Sequence, residues 1–323
     1  MAISSPDYEA IYFSKGEGAS ATAPGNAISG FLAGFPTTQL VPTTTPTFPT
    51  TFSNGSNFIN NYVTGTVNGV AGGTGTVASQ RVLVRKAFSP FFTGPLRAPN
   101  RLQNTFANEC FMDELAASVK VDPVQYRLRH LVDPRLIAAV NLTAQHANWD
   151  ARPSPKPNIP KTGVSTGRGF SCVLYSGNNG YCAMVAEVNV DQDKGAITVT
   201  RLVTSLDTGP VCNPDGLRNQ MEGGALQGIS RALLEEVKWN NRAGIITSAD
   251  WLSYPVFQFG DQLPVIETLL INNLNAPPRG AGETTITLVS SAIGNAVFDA
   301  TGVRMRQVPF TPANFLAAKA QPS

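Results

Sequence analysis

The chain has 323 residues, of which 42% are hydrophobic and 14% are charged, and its formal net charge is +2. This length is sufficient for one large or two ordinary domains with buried cores. The small net charge gives no indication of a basic surface that binds nucleic acid, so nucleic acid is not expected as a partner. The four cysteines show no C-x-x-C spacing and are accompanied by only two histidines, so no zinc or iron–sulfur site is predicted from this chain alone.

Glycine (29) and proline (24) are abundant, which predicts many turns and an α+β fold in which mixed sheets pack against helices. The sequence contains neither a recognisable signal peptide nor a run of about 18 apolar residues that could span a membrane. A soluble protein with no membrane span is therefore expected, either cytoplasmic or periplasmic.

Residues 1–80 form the first predicted unit, a low-complexity segment that is poor in charge. Its run at 36–51 is dominated by threonine and proline, which do not favour a helix and bury little apolar surface. The segment is predicted to be extended, either as a surface excursion or wrapped over a partner subunit, and disorder is the alternative.

The second predicted unit, residues 81–150, begins with a strand at 81–85 and a loop at 94–100. A helix is predicted at 104–119, with apolar residues that recur every four positions on one face: Ala107, Phe111, Leu115 and Val119. Two shorter helices are expected, each begun by an aspartate N-cap and a proline at the first helical position: Asp122-Pro123 and Asp133-Pro134.

Residues 151–166, rich in proline, are predicted to link this unit to a third one at 167–316, which a tail at 317–323 follows. The third unit contains a β-hairpin whose strands alternate on either side of a turn at 191–195. Its other predicted elements are a helix at 215–237, strands near Val256 and at 266–274, and a helix at 287–301.

Glu283 is the first candidate for chemistry. It follows Gly280-Ala281-Gly282, and glycines let a backbone approach a ligand closely. It also lies just before a predicted helix N-terminus, where an anion is stabilised by about 0.3–1 kcal/mol. On these residues alone, either a functional carboxylate or an ordinary helix-capping residue fits.

Three glycines mark the predicted helix at 215–237, namely Gly223, Gly224 and Gly228. Each costs up to about 1 kcal/mol relative to alanine inside a helix, so another backbone or a ligand is expected to pack against them. In the same helix, the amides of Gln220 and Gln227 could bind a ligand or face solvent.

Arg97 lies in the loop ahead of the first long helix. Its guanidinium offers a fixed fork of donors that suits phosphate or pterin-like acceptors, although an ordinary surface arginine also fits. Other catalytic patterns are missing from the sequence, which has no G-x-S-x-G elbow and no phosphate-binding G-x-x-x-x-G-K-[ST] loop.

Four groups of motifs resemble those of one family. In order, they are Leu96-Arg97-Ala98-Pro99 with Asp122-Pro123-Val124; Gly167-Arg168-Gly169 with Asp207-Thr208-Gly209; Gln220-Met221-Glu222-Gly223-Gly224; and Gly280-Ala281-Gly282-Glu283 with Asn295-Ala296-Val297-Phe298-Asp299. Their order is similar to that in the C-terminal half of the molybdopterin-binding large subunit of the xanthine dehydrogenase and aldehyde oxidase family. They resemble in particular its isoquinoline 1-oxidoreductase and nicotinate dehydrogenase branch.

The resemblance implies an oxidoreductase subunit that hydroxylates an aldehyde or N-heteroaromatic carbon with oxygen derived from water. It implies a molybdopterin, as such or in its cytosine dinucleotide form, and a [2Fe–2S] small subunit that passes electrons to a cytochrome or another acceptor. Glu283 would be the general base at the molybdenum-bound hydroxide. The implied cofactor-binding residues, none of them a metal ligand, are Arg97, Gln220, Gly223, Gly224, Gly280, Ala281 and Gly282.

Two features depart from the family pattern. Thr284 stands where proline usually follows the glutamate. The N-terminal half of the family's large subunits, which contributes to the cofactor site, is also missing from this sequence. That half is therefore expected as a separate chain; alternatively, this chain is a truncated half-subunit that serves only as a structural partner.

Overall fold

The computed structural model describes residues 61–67, 70–77, 96–99, 101–175, 179–240 and 245–321, together with the backbone of strands at 7–13 and 81–87. Most of the predicted excursion at 1–80, including its threonine- and proline-rich run, thus lies outside the described residues. Of its described part, Tyr62 and Val77 are each only 1% exposed and belong to the protein core.

The strands are β1 (Asp7–Phe13), β2 (Thr64–Val67), β3 (Val70–Thr74), β4 (Arg81–Ala87), β5 (Val164–Leu174), β6 (Tyr181–Asp191), β7 (Ala196–Asp207), β8 (Trp239–Asn240), β9 (Ile245–Ile246) and β10 (Val265–Ile271). The helices are α1 (Arg101–Ser118), α2 (Pro123–His130), α3 (Pro134–His146), α4 (Pro214–Leu233), α5 (Ile286–Thr301) and α6 (Pro312–Lys319). No helix in the described part of the chain is long and apolar enough to cross a membrane.

A four-stranded mixed sheet forms the centre of the fold, in the order β10-β7-β6-β5. The predicted hairpin is confirmed as β6 and β7, which pair antiparallel, and β10 lies parallel to β7. Gly195 closes the hairpin turn with a φ of +77°, a conformation that glycine adopts without strain. The expected α+β class is confirmed.

Helices cover both faces of this sheet. On one face, Met184 and Ala186 of β6 pack in a core that α4 and α5 complete. On the other face, Ala183 and Val185 pack in a second core with residues of α1, α2 and α3. β6 is therefore apolar on both sides, as expected of a strand between two helical layers.

Helix α5 lies directly on β5 because two glycines of that strand leave room for its backbone. A Cβ added at Gly169 would lie 2.2 Å from the carbonyl oxygen of Ala292, and one at Gly167 would lie 2.3 Å from that of Ala296. The Gly167-Arg168-Gly169 motif thus sets the position of α5, and with it the position of the loop that precedes α5.

The aspartate–proline pairs begin helices as predicted. Asp122 accepts hydrogen bonds from the backbone N–H groups of Val124 and Gln125, and Asp133 caps α3 in the same way. These local signals place α2 and α3 against the sheet, and α5 ends at Gly302 as expected, with a φ of +75°.

The sequence predicted the wrong buried face for α1. Phe111 is 45% exposed, whereas Glu109 and Asp113 are buried. Both carboxylates are neutralised inside the protein, since the Arg127 guanidinium lies 2.8 Å from Glu109 and that of Arg304 lies 2.7 Å from Asp113. The apolar pattern, which recurs at every fourth residue, could not predict that these two carboxylates are buried. Charged side chains are buried only where a partner from elsewhere in the chain pairs with them.

Two other predictions need correction. The segment around Val256 is not a strand, and it is held on α4 by a hydrogen bond from the Phe257 N–H to the Ser230 hydroxyl. Helix α6 extends into the predicted tail and buries Phe315 completely. In addition, α4 ends at Leu233, four residues before the predicted end.

The predicted linker at 151–166 is fastened to α5. Arg152 donates two hydrogen bonds of 2.7 and 2.9 Å to the buried Asp299 carboxylate, and the Ser154 hydroxyl donates another of 2.9 Å. The core formed by α1, α2 and α3 extends across this segment, because it includes Phe170 of β5 as well as Leu136 of α3.

Candidate active site

Glu283 lies in the loop between β10 and α5, three residues before the first helical residue. One of its carboxylate oxygens, Oε1, accepts a hydrogen bond of 3.2 Å from the backbone N–H of Ala98, and the other, Oε2, accepts one of 2.8 Å from the Tyr175 hydroxyl. The residue at the N-cap position of α5 is Thr285. The capping alternative for Glu283 therefore does not describe this carboxylate, which faces the loop at 96–99 and the end of β5.

Ala98 has a φ of +68°, in the left-handed region that non-glycine residues rarely adopt. Its side chain is 2% exposed and packs with Tyr175 and Ile286. A strained backbone of this kind costs about 1–3 kcal/mol and persists where its surroundings hold it in place. Here the strain occurs in the residue whose N–H binds the Glu283 carboxylate.

Arg97 joins the loop at 96–99 to the Glu283 loop and to α4. Its Nε donates to the carbonyl oxygen of Gly282 at 2.5 Å, its Nη2 to the Gln220 side chain at 2.9 Å, and its Nη1 to the Gln227 side chain at 3.3 Å. Arg97 is thus neither an ordinary surface arginine nor free to give its whole fork of donors to a ligand. Its hydrogen bonds connect the loop at 96–99, the Glu283 loop and α4 to one another.

The electrostatics of Arg97 reflect this position. Partial burial lowers the pKa of its guanidinium, the neighbouring Arg231 lowers that pKa further, and the Glu283 carboxylate acts in the opposite direction. Arg231 also donates a hydrogen bond of 3.2 Å to the Arg97 carbonyl oxygen. Two cations and one carboxylate therefore lie within a single network.

The glycines of α4 have different surroundings. A Cβ at Gly228 would lie 2.5 Å from the Val289 side chain, and one at Gly224 would lie 3.4 Å from the Ile286 backbone nitrogen. The expectation that another backbone packs against this helix is confirmed at Gly224, whereas at Gly228 the close neighbour is a side chain of α5. Gly223 faces outward, because no atom lies within 4 Å of the place its Cβ would take.

The three residues before Glu283 also differ in their packing. Gly280 forms a bridge with Asn179 and accepts a hydrogen bond of 3.1 Å from the Gly180 N–H, so it fastens the loop to the start of β6. Ala281 packs against the core, whereas Gly282 is exposed, with no atom within 4 Å of its would-be Cβ. The open side of the site is therefore formed by Gly282 and Gly223.

The structure thus brings together Arg97, Gln220, Gly224 and Glu283, and it adds two residues that the sequence did not single out. Tyr175 follows β5 directly, and Arg231 lies on α4 one helical turn beyond Gln227. The only available signal for Tyr175 was its place at the carboxyl end of a strand beside the Gly167-Arg168-Gly169 motif. No local pattern indicated that it would meet Glu283.

The donor set of this site suits a ligand rich in acceptor atoms. The side-chain oxygens of Gln220 and Gln227 accept from Arg97, which leaves their N–H₂ groups as the donors that these amides can offer to a ligand. A pterin carrying a phosphate presents many acceptors, and the open side at Gly223 and Gly282 lets it approach the backbone closely. In the described part of the chain, no three His, Cys, Asp or Glu side chains cluster as a metal site would require.

Comparison with known proteins gives an independent view. Residues 103–262 match the family model described as a molybdopterin cofactor-binding domain. This range includes Gln220 and Gly223, whereas Arg97 and Glu283 lie outside it. A nicotinate dehydrogenase subunit of Pseudomonas putida is 38% identical over 69% of this chain, and this match covers 19% of that protein.

Two further comparisons agree. The beta subunit of isoquinoline 1-oxidoreductase of Brevundimonas diminuta is 32% identical over 65% of the chain and 26% of that protein. The solved aldehyde oxidoreductase of Desulfovibrio gigas aligns with 77% of this chain and 44% of its own, with a TM-score of 0.66 and 18% identity, which shows a shared fold. The matched part of this chain thus spans less than half of each of these relatives. On the domain match and the identities to two such subunits, the chain belongs to the molybdenum-binding subunits of the xanthine dehydrogenase family.

Proposed function

We propose that this chain contributes the base-carrying part of a molybdopterin-dependent hydroxylase that oxidises an aldehyde or N-heteroaromatic carbon. The observation that carries the proposal is the Glu283 carboxylate, held by Ala98 and Tyr175 beside the open side of the site. A carboxylate fixed at such a place can accept a proton as a general base. When bound, the molybdopterin would supply the oxygen transferred to the substrate and accept two electrons.

The residues of this chain have separate roles in the proposal. Glu283 accepts the proton of the oxygen nucleophile, and Arg97 holds the Gly282 carbonyl so that the carboxylate stays in place. Gln220 would hold the pterin through its remaining amide donors, and the outward-facing Gly223 and Gly282 would let the cofactor approach the backbone.

The other parts of the enzyme would come from other chain segments. The matched relatives are much longer than the part that this chain covers, so in this proposal the rest of the cofactor site is supplied by segments outside this sequence. A small subunit with [2Fe–2S] clusters would receive the electrons and pass them to a cytochrome or another acceptor. The substrate would be bound at the boundary between the residues described here and those segments.

The test uses the molybdenum-loaded assembly that contains this chain. The Glu283→Gln variant keeps the size and shape of the side chain but removes the base. We expect turnover of aldehydes or N-heteroaromatics to be lost, by at least the roughly 100-fold typical of general-base removal, while molybdenum content by elemental analysis is unchanged.

The matched control is Glu236→Gln. This residue forms a surface pair with Lys238 at 3.7 Å, and such pairs contribute little to stability, so activity should be that of the wild type. Full activity of Glu283→Gln would refute the base assignment. If the co-expressed assembly holds no molybdenum at all, the chain is a structural partner instead.

A further inference from the structure

Tyr175 is the residue that connects the sheet to the proposed base. It lies immediately after β5, and its ring packs with Ala98 and Ile286. Its hydroxyl donates to Oε2 of Glu283 at 2.8 Å, while the Ala98 N–H donates to Oε1 at 3.2 Å. The two oxygens of one carboxylate are therefore held by donors from two different segments.

We propose that Tyr175 and the Ala98 N–H form a two-point clamp that sets the orientation of the Glu283 carboxylate, with Tyr175 as a positioning residue. This inference rests on the function proposed for Glu283. It goes further because it assigns a role to a tyrosine whose hydroxyl binds the carboxylate.

The clamp is consistent with proton transfer. An ionised carboxylate has about four lone-pair positions, two on each oxygen. One donor at each oxygen leaves a further position on each, so Glu283 can be held and still accept a proton. A rigid carboxylate matters because a displacement of about 1 Å at a reacting group can lower a rate by about 100-fold.

The left-handed backbone of Ala98 supports the same view. An alanine with a φ of +68° is strained, and its N–H points at Oε1 because its neighbours enforce that conformation. Arg97 and Arg231 hold this stretch, the first through its side chain and the second through a hydrogen bond to the Arg97 carbonyl oxygen. One donor of the clamp is thus rigid, and the orientation of the carboxylate about it depends on Tyr175.

The variant that tests the clamp is Tyr175→Phe, which keeps the packed ring and removes only the hydroxyl. Its control is Tyr254→Phe, because the Tyr254 hydroxyl donates to the Glu235 carboxylate at 2.9 Å in another part of the chain. The two variants remove the same kind of hydrogen bond, one within the site and one outside it. Thermal unfolding followed by circular dichroism first checks that both are folded.

The direct readout needs no cofactor. In the full chain labelled with carboxyl-¹³C glutamate, the resonance that Glu283→Gln removes is the Glu283 signal. Tyr175→Phe should shift that signal, and Tyr254→Phe should shift a different one and leave Glu283 unchanged. An unchanged Glu283 signal in Tyr175→Phe would show that the hydroxyl does not hold the carboxylate, and the clamp would be refuted.

The second readout is kinetic, in the loaded assembly. Tyr175→Phe should lower kcat by about 10- to 100-fold and leave KM within about twofold, because substrate contacts are unchanged while the base is misaligned. A change in KM alone would contradict the positioning role. If Glu283→Gln is inactive and Tyr175→Phe behaves as wild type, only the clamp fails; if Glu283→Gln is active, the proposed function itself fails.

Discussion

The buried Arg127 offers a strong test of how the fold is held together. Its side chain is fully buried, and it donates from Nε to Glu109 at 2.8 Å, from Nη2 to the Glu109 carbonyl at 2.7 Å and from Nη1 to the Pro123 carbonyl at 3.0 Å. Burial alone would lower the pKa of Arg127, but Glu109 and other anionic partners more than offset this and keep it above its usual value. The guanidinium is therefore charged in the folded protein.

The perturbation is Arg127→Met, which keeps much of the volume but leaves the Glu109 carboxylate buried without its cation. Removing one member of a buried pair costs about 3–5 kcal/mol, since the remaining charge stays desolvated. Glu109 keeps the Tyr62 hydroxyl at 2.7 Å and the Cys172 N–H at 3.1 Å as donors, which favours the lower half of this range. With an unfolding entropy of about 2.1 cal/mol/K per residue, a loss of about 3 kcal/mol corresponds to a decrease of about 4 °C in the thermal midpoint of a chain this size.

The assay is urea unfolding followed by circular dichroism, with a shift in midpoint and no change in slope. The control, Arg129→Met, changes an exposed arginine of the same helix and should alter the unfolding free energy by no more than about 0.5 kcal/mol. The double variant with Glu109→Gln should lose less than the sum of the single losses, because the amide removes the unpaired charge. If Arg127→Met is within about 1 kcal/mol of Arg129→Met, the buried network does not hold α1 and α2 together as described.

Three further predictions concern stability. Arg135 lies 2.6 Å from Asp207; burial alone would raise the pKa of Asp207, but Arg135 and the Gly209 N–H hold it below its usual value. Asp207→Asn should therefore lower the unfolding free energy by about 1–3 kcal/mol at pH 7, and the gap should close as pH falls below about 4, toward the depressed folded pKa; a constant gap would contradict this. Gly169→Ala should lower the calorimetric midpoint, because its Cβ would lie 2.2 Å from the α5 backbone. Gly223→Ala should raise the unfolding free energy by about 1 kcal/mol, and a decrease would show that Gly223 is not as open as described.

Local signals in the sequence predicted the local structure well. The Asp-Pro pairs began α2 and α3 because a cap involves only neighbouring residues, and Gly302 ended α5 for the same reason. Gly224 and Gly228 indicated close helix packing because a missing Cβ is visible in the sequence itself. The sequence therefore predicted several of the elements that carry the site.

Contacts between distant residues could not be predicted in this way. Tyr175 and Glu283 are 108 positions apart. On α1, Glu109 is buried and pairs with Arg127 of α2, whereas Phe111 is exposed. No periodic pattern in the neighbouring sequence predicts either of these two contacts. Arg97 was predicted to bind a cofactor, but its own sequence neighbours could not show that its donors bind groups on α4 and in the Glu283 loop.

Thr284, which departs from the family's usual proline, can be tested by itself. It is fully buried, and its hydroxyl oxygen has no hydrogen-bond partner among the described residues. Such a group costs about 1–3 kcal/mol, so Thr284→Val, which keeps the shape and removes the hydroxyl, should raise the unfolding free energy by about 1 kcal/mol. Thr287→Val is the control with the opposite sign, because the equally buried Thr287 hydroxyl donates to the Thr284 carbonyl at 2.6 Å. If both variants lose the same stability in urea unfolding, the Thr284 hydroxyl has a partner in the folded protein, and the loop that carries Glu283 is held by one more contact than described.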